Sequence, residues 1–218
     1  MYKIILATTV VITLLSCNNE TKPTVAATDV EKVTATKDSA STIVYTLDST
    51  ASTLQWEGYE GLSLGKSEHN GTLKINTGNI STVNNIPVSG KFSIAVTSLK
   101  VDDIAASKPG NAKLTKHLLG ADFFDAAKFP DAAFEITSAV TNGTDSMNIT
   151  GNLTLKGISK SITIPAYVKM SDNIFSATTP KFYINRKDWE MHYRSENSLG
   201  DEMIRNEMGV IINLTAKR

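Results

Sequence analysis

From Ile43 to the C-terminus, apolar residues recur at every second position, and this period limits the chain to half-buried strands. Leu54, Trp56 and Gly58 share one parity; so do Gly71, Leu73 and Ile75, and Val88, Phe92, Ile94 and Val96. Phe134, Ile136 and Val140 alternate with Glu135, Thr137 and Ala139, and Met147, Ile149, Leu153 and Leu155 alternate with Asn, Thr and Lys. Ile162, Ile164, Ala166 and Val168 follow, then Phe182 and Ile184, then Met208, Val210, Ile212 and Leu214. One apolar and one wet face describe antiparallel sheet rather than a parallel sheet covered on both sides. Turns are expected at Asn76-Thr77-Gly78, Asn142-Gly143-Thr144, Lys156-Gly157 and Ser171-Asp172-Asn173. One stretch departs from the period. Asn111–Phe124 carries Leu114, His117, Leu118 and Leu119 at helical spacing, which predicts a short helix capping one end of the sheet. About eight strands with one apolar face close into a barrel or stack as a sandwich, and closure removes exposed edges.

Charge and cysteine content exclude several functions. Lys and Arg number 22, as do Asp and Glu, so the 218-residue chain carries no net charge and is no broadly basic nucleic-acid binder. A single cysteine cannot form an internal disulfide, and three scattered histidines do not form a zinc-ligand pattern.

The N-terminus reads as an address. Lys3 precedes the apolar run Ile4–Leu15, too short for a spanning helix and shaped like a secretory signal. The run ends Leu14-Leu15-Ser16-Cys17, which resembles a bacterial lipobox, with the only cysteine at the position that would be lipidated. Residues 1–16 are therefore expected to be a lipoprotein signal peptide. Residues 17–42, rich in Thr, Ala, Ser, Lys and Asp, are expected to be the lipidated Cys17 and a disordered tether. The barrel domain is expected over 43–218. Several acyl chains would anchor the protein stably where one would not. The resemblance thus implies a bacterial cell-envelope protein, facing the periplasm or on the outer membrane. The Asn-x-Thr triplets at Asn70, Asn142, Asn148 and Asn152 are then ordinary turn and strand residues.

Further residues carry a family resemblance. Trp56-Glu57-Gly58, His69-Asn70-Gly71-Thr72-Leu73, Gly90-Lys91-Phe92-Ser93-Ile94 and Leu118-Leu119-Gly120-Ala121-Asp122-Phe123-Phe124-Asp125 come in that order. They are followed by Lys128-Phe129-Pro130, Ala133-Phe134-Glu135-Ile136, Ile149 to Gly157, and Asn185-Arg186-Lys187-Asp188-Trp189 with Tyr193. The ordered set resembles the YceI-like family over about Ile43–Lys217. Asn185 departs from it, standing where the family often has Asp. The resemblance implies an all-β, antiparallel, lipocalin-like β-barrel with a short capping helix and a long apolar interior. It implies a polyisoprenoid or isoprenoid quinone as bound ligand, not catalytic cofactor, no enzymatic activity, no metal, and homodimers in several members.

An apolar tail leaving water gains roughly 25 cal/mol per Å². A pocket for it would be lined by the inward residues Leu54, Trp56, Leu73, Ile75, Phe92, Ile94, Phe134, Ile136, Ile149, Leu153, Ile162, Ile164, Phe182, Val210 and Ile212. Alternation alone equally allows these side chains to fill the barrel as a solid core. His69, Arg186 and Trp189 are head-group candidates. Each also has a structural reading: His69 satisfied by backbone near a turn, Arg186 pinning a loop through Asp188 or Glu190, Trp189 packed over the barrel end. His117 is expected to be exposed on its helix. Gly61-Leu62-Ser63-Leu64-Gly65 matches the nucleophile-elbow pattern, but that turn needs a strand–helix context absent here. The expected function is an envelope lipid carrier. The alternatives are a fatty-acid or fatty-amide binder on the same barrel, and a filled-barrel interaction module presenting Tyr167, Tyr183 and Ile211.

Overall fold

The computed structural model describes residues 24–33, 42–60, 68–171, 173–195 and 203–218. The signal peptide, Cys17 and Ser63 lie outside the described residues. Ten strands form one antiparallel sheet: β1 (Ile43–Leu47), β2 (Thr53–Tyr59), β3 (Glu68–Val83), β4 (Ile86–Val101), β5 (Asp131–Thr141), β6 (Ser146–Leu155), β7 (Ile158–Met170), β8 (Ile174–Thr178), β9 (Phe182–Asn185) and β10 (Glu207–Lys217). Among the described residues, one helix, α1 (Pro109–Leu119), and a 3₁₀ turn, Arg186–Trp189, complete it. The order β2-β3-β4-β5-β6-β7-β8-β10 returns to β2 and closes a barrel of eight strands. The two remaining strands extend members of that ring. β1 continues the line of β2 along β3, and β9 continues β8 along β10.

The hairpins at Asn84-Asn85 and 142–145, and the β7–β8 connection closed by mutual hydrogen bonds of Ser171 and Ile174, close one end. Asn84 and Asn85 both take left-handed backbone, a conformation asparagine tolerates and two-residue hairpins require. Lys156 and Gly157 make the same kind of turn at the opposite end, where α1 and the longer connections gather. Gly151 has no side chain because the ring of Phe134 lies across it; a Cβ there would sit 2.5 Å from Phe134 Cζ.

Four local expectations are corrected. The predicted turn at Asn76-Thr77-Gly78 is instead the middle of the long strand β3, where a register shift between Ile75 and Thr77 absorbs the irregularity. Val140 is exposed, not inward, because a bulge between Ile136 and Ser138 inserts Thr137 and reverses the parity beyond it. The helix ends at Leu119 rather than Phe124: Gly120 takes extended backbone, and Phe123 and Phe124 fall in the turns that follow. Tyr183 is buried rather than outward-exposed, its ring 6.1 Å from that of Tyr59.

The tract read as disordered also departs from expectation within 24–33. Thr24 pairs in parallel with Tyr183 on β9, and Thr28 pairs antiparallel with Ser161 on β7. Val25 N–H donates to Tyr183 O (2.8 Å), Thr28 N–H to Ser161 O (2.9 Å), and Ser161 N–H back to Thr28 O (3.0 Å). The segment therefore runs between β9 and β7 as an extra stave, with Val25 and Ala27 packed on the core. It continues onto β6, where the Asn152 side chain pairs with Glu31 through both its carbonyl and its amide group (3.0 and 2.9 Å).

Candidate functional site

The barrel is not filled. It encloses a cavity of about 480 Å³. All fifteen side chains expected to point inward line it. The strands deliver them by simple alternation, so registered neighbours such as Ile149 and Ile164, or Phe92 and Phe134, meet the lumen side by side. Trp56 reaches across Gly71 to donate its indole N–H to Lys100 O (3.2 Å). A Cβ on Gly71 would lie 1.8 Å from that carbonyl oxygen, so only glycine permits the arrangement.

The hairpin end of the cavity is sealed. Phe175 is fully buried, and its ring packs on that of Tyr45 at 5.9 Å. The other end is the mouth. Leu114 and Leu118 from α1, with Phe123 and Phe124, cover it. His117 is only half-exposed. It is wedged edge-on between Phe123 (5.2 Å) and Tyr193 (4.7 Å), with Nε2 3.4 Å from Asp122 Oδ2.

The polar candidates separate clearly. His69 lines the cavity, and a carboxylate rather than backbone holds it: Nδ1 lies 2.8 Å from Asp103 Oδ2. Asp103 Oδ1 accepts from the Asn70 N–H (3.0 Å). Burial alone would raise the Asp103 pKa; the hydrogen bonds from His69 and Asn70 outweigh it and hold the carboxyl below its ordinary value. The pair fixes the imidazole at the rim of the cavity.

Arg186 also borders the cavity, but not through the expected carboxylates. Its guanidinium donates to four main-chain carbonyls: Nε to Arg205 O (3.0 Å), Nη2 to Tyr193 O (2.8 Å) and Ile204 O (2.9 Å), and Nη1 to Met191 O. Burial lowers its pKa. Asn185 caps the 3₁₀ turn by accepting from Lys187 N–H (3.0 Å), so replacing an expected Asp costs no ion pair to Arg186. Trp189 is fully buried outside the cavity lining and donates to Leu153 O (3.2 Å). It packs the barrel end. Among the described residues, no three His, Cys, Asp or Glu side chains converge as a metal site.

Sequence reasoning missed the sealed floor and the aromatic mouth. Phe175 sits in the short run Ile174-Phe175-Ser176-Ala177, where period two was readable but too brief to stand out. The pairing of His117 with Tyr193 joins segments 76 positions apart and leaves no local signature.

Comparison with known proteins agrees with this architecture. The curated protein YceI of Escherichia coli O17:K52:H18 is 36% identical over 103 residues, 47% of this chain and 50% of its own length. The chain YceI of Salmonella arizonae is similar at 37% over the same length, so this chain spans about half of the curated relatives it matches. Among solved structures, Burkholderia cenocepacia BcnA superposes with a TM-score of 0.61 at 19% identity, covering 78% of this chain and 99% of its own. A polyisoprenoid binding domain from Saccharophagus degradans superposes at 0.59 with 18% identity, covering 79% and 97%. At those identities the likeness speaks to the fold. The YceI-like domain model matches residues 45–216, nearly the whole barrel, and the chain belongs to the YceI-like family.

Proposed function

We propose that this protein reversibly buries the apolar tail of a lipid inside its barrel, for carriage, storage or sequestration at a bacterial cell envelope. The observation that carries the reading is the apolar cavity, closed at the Phe175 end and covered at the other by α1 and its aromatic neighbours. A solid core needs no such void, since interiors pack as densely as organic crystals. A tail has few polar groups, and this lumen offers it almost none below the rim. An isoprenoid chain or the tail of its quinone is the ligand class favoured by family membership and by the polyisoprenoid binding domain that shares the fold. His69, its Nδ1–H held by Asp103, would accept through Nε2 from a hydroxyl head at the rim, and would donate to a carbonyl head only as the doubly protonated ring. The helix α1 and its aromatic neighbours would yield on entry and exit. The lipobox-like Leu14–Cys17 supports a lipid anchor and delivery at a membrane surface. No reacting group is assigned.

A fatty acid or fatty amide would satisfy the same lumen, and extraction distinguishes it. The chain from residue 18 onward, purified without detergent from a bacterial host, is expected to show a lipid adduct in native mass spectrometry. Organic extraction would then give an isoprenoid or another long apolar compound. An empty protein that also fails to take up added quinone would overturn the reading.

A further inference from the structure

We infer that the floor formed by Phe175 and Ile80 measures the ligand, restricting this barrel to tails of roughly fifteen to twenty carbons rather than the longest polyisoprenoids, since an engineered apolar cavity of about 150 Å³ holds one six-carbon benzene. The inference rests on the proposed lipid-binding function and adds a size class and the residues that set it.

The cavity volume, about 480 Å³, is the first support. At the benzene scale it holds roughly nineteen carbon atoms. The second is that described residues close the far end. Phe175 is 0% exposed and Ile80 1% exposed, and both face the lumen. Tyr45, 2% exposed, backs Phe175 from outside the cavity lining. Phe175 registers with Ala216 on β10 and Tyr45 with Ile80 on β3, so two neighbouring strand pairs hold the floor from both sides. A tail longer than the lumen cannot thread out below; its surplus carbons must stay in water at the mouth. Immediately above Phe175 on the same face is Ala177, a small residue that leaves lumen space free.

The test is a homologous series of straight-chain fatty alcohols, about twelve to about twenty-four carbons long, displacing an environment-sensitive apolar dye from the chain beginning at residue 18. Affinity is expected to rise about fourfold per methylene until the tail reaches the floor, then stop rising. Phe175→Ala is expected to move that limit outward by roughly six carbons, the contents of one comparable cavity. Because Phe175 is buried, its truncation can unfold the chain. Ala177→Leu tests the floor from the other side: it projects into open space and is expected to shorten the limit by about three carbons without loss of folding. A limit unmoved in a folded variant, or a wild-type affinity still climbing past twenty-four carbons, would overturn the ruler while leaving lipid binding intact. Failure of every alcohol to displace the dye, in a protein that also refuses quinone, would overturn both.

Discussion

Arg186 is a full charge with 1% of its surface exposed, and its environment explains how the fold tolerates it. Removing a cation from water costs several kcal/mol unless hydrogen bonds replace the lost hydration. Four carbonyls from the segments around Met191–Tyr193 and Ile204–Arg205 do so here. A planar guanidinium can serve several diverging acceptors at once; a lysine ammonium could not. The residue is thereby a staple for the loops at the mouth, and the cavity borders it rather than using it. His69 also lines the cavity, and Asp103 holds it from outside the lining. Their coupling has a pH signature. The folded Asp103 carboxyl titrates below its usual value near 3.8, so its contribution is present above that pH and is lost as pH falls through the folded pKa. Asp103→Asn is expected to lower stability by about 0.5 kcal/mol at neutral pH. Denaturant titrations should show the gap between variant and wild type closing below about pH 4. A gap that persists undiminished at pH 2 would contradict this origin.

At the scale of elements, residues 24–33 change where the folded unit begins. β9 pairs with β10 on one edge, and the pairing of β7 with β8 covers only Tyr167–Met170. The seam between β9 and the first half of β7 is filled by Thr24–Thr28. An unpaired edge there would expose backbone donors and a flank of the core. Composition could not show this. Only Val25 and Ala27 face inward, too few to mark a strand, and the attraction lies in backbone groups that any sequence carries. Thr28→Pro removes the N–H that bonds Ser161 O and is expected to destabilise the barrel by about 1–3 kcal/mol. Hydrogen exchange should quicken at Ser161 and around Tyr183 while the β3–β4 hairpin keeps its protection. Uniform protection in the variant would mean that the strap merely rests on the surface.

On the scale of the whole molecule, what matters is that a closed sheet of eight strands leaves its centre unfilled. Barrels of this size are just wide enough either to be packed by their own side chains or to hold one small ligand. Here the inward residues are mostly branched aliphatics, with Ala132, Ala166 and Ala177 among them, and they stop short of the axis. Ile164→Trp distinguishes the two situations. In a filled barrel it would overpack and cost about 1–3 kcal/mol. In this one the ring has space to enter, so thermal denaturation should shift little while binding of an apolar dye falls by about tenfold, the loss of roughly two buried methylenes' worth of contact. A large fall in stability with dye binding preserved would identify a packed interior.

The sequence by itself determined the antiparallel class, the face on which each of the fifteen lumen residues lies, and the existence of a helical cap. These follow from alternation, which is a property of the extended backbone and is written into every strand separately. It also marked the family through the order of its motifs. It could not carry parity past the bulge at Thr137, because whether a strand bulges depends on the partner it faces. Nor could it name the acceptors of Arg186, the partner of His117 or the stave at Thr24–Thr28, all of which join distant segments. Above all, tertiary structure decided that the barrel is hollow and sealed at Phe175. The same inward residues could pack a solid core or line a void. The difference lies in how far closure holds opposite walls apart, a distance set by the whole ring of strands and by no single one of them.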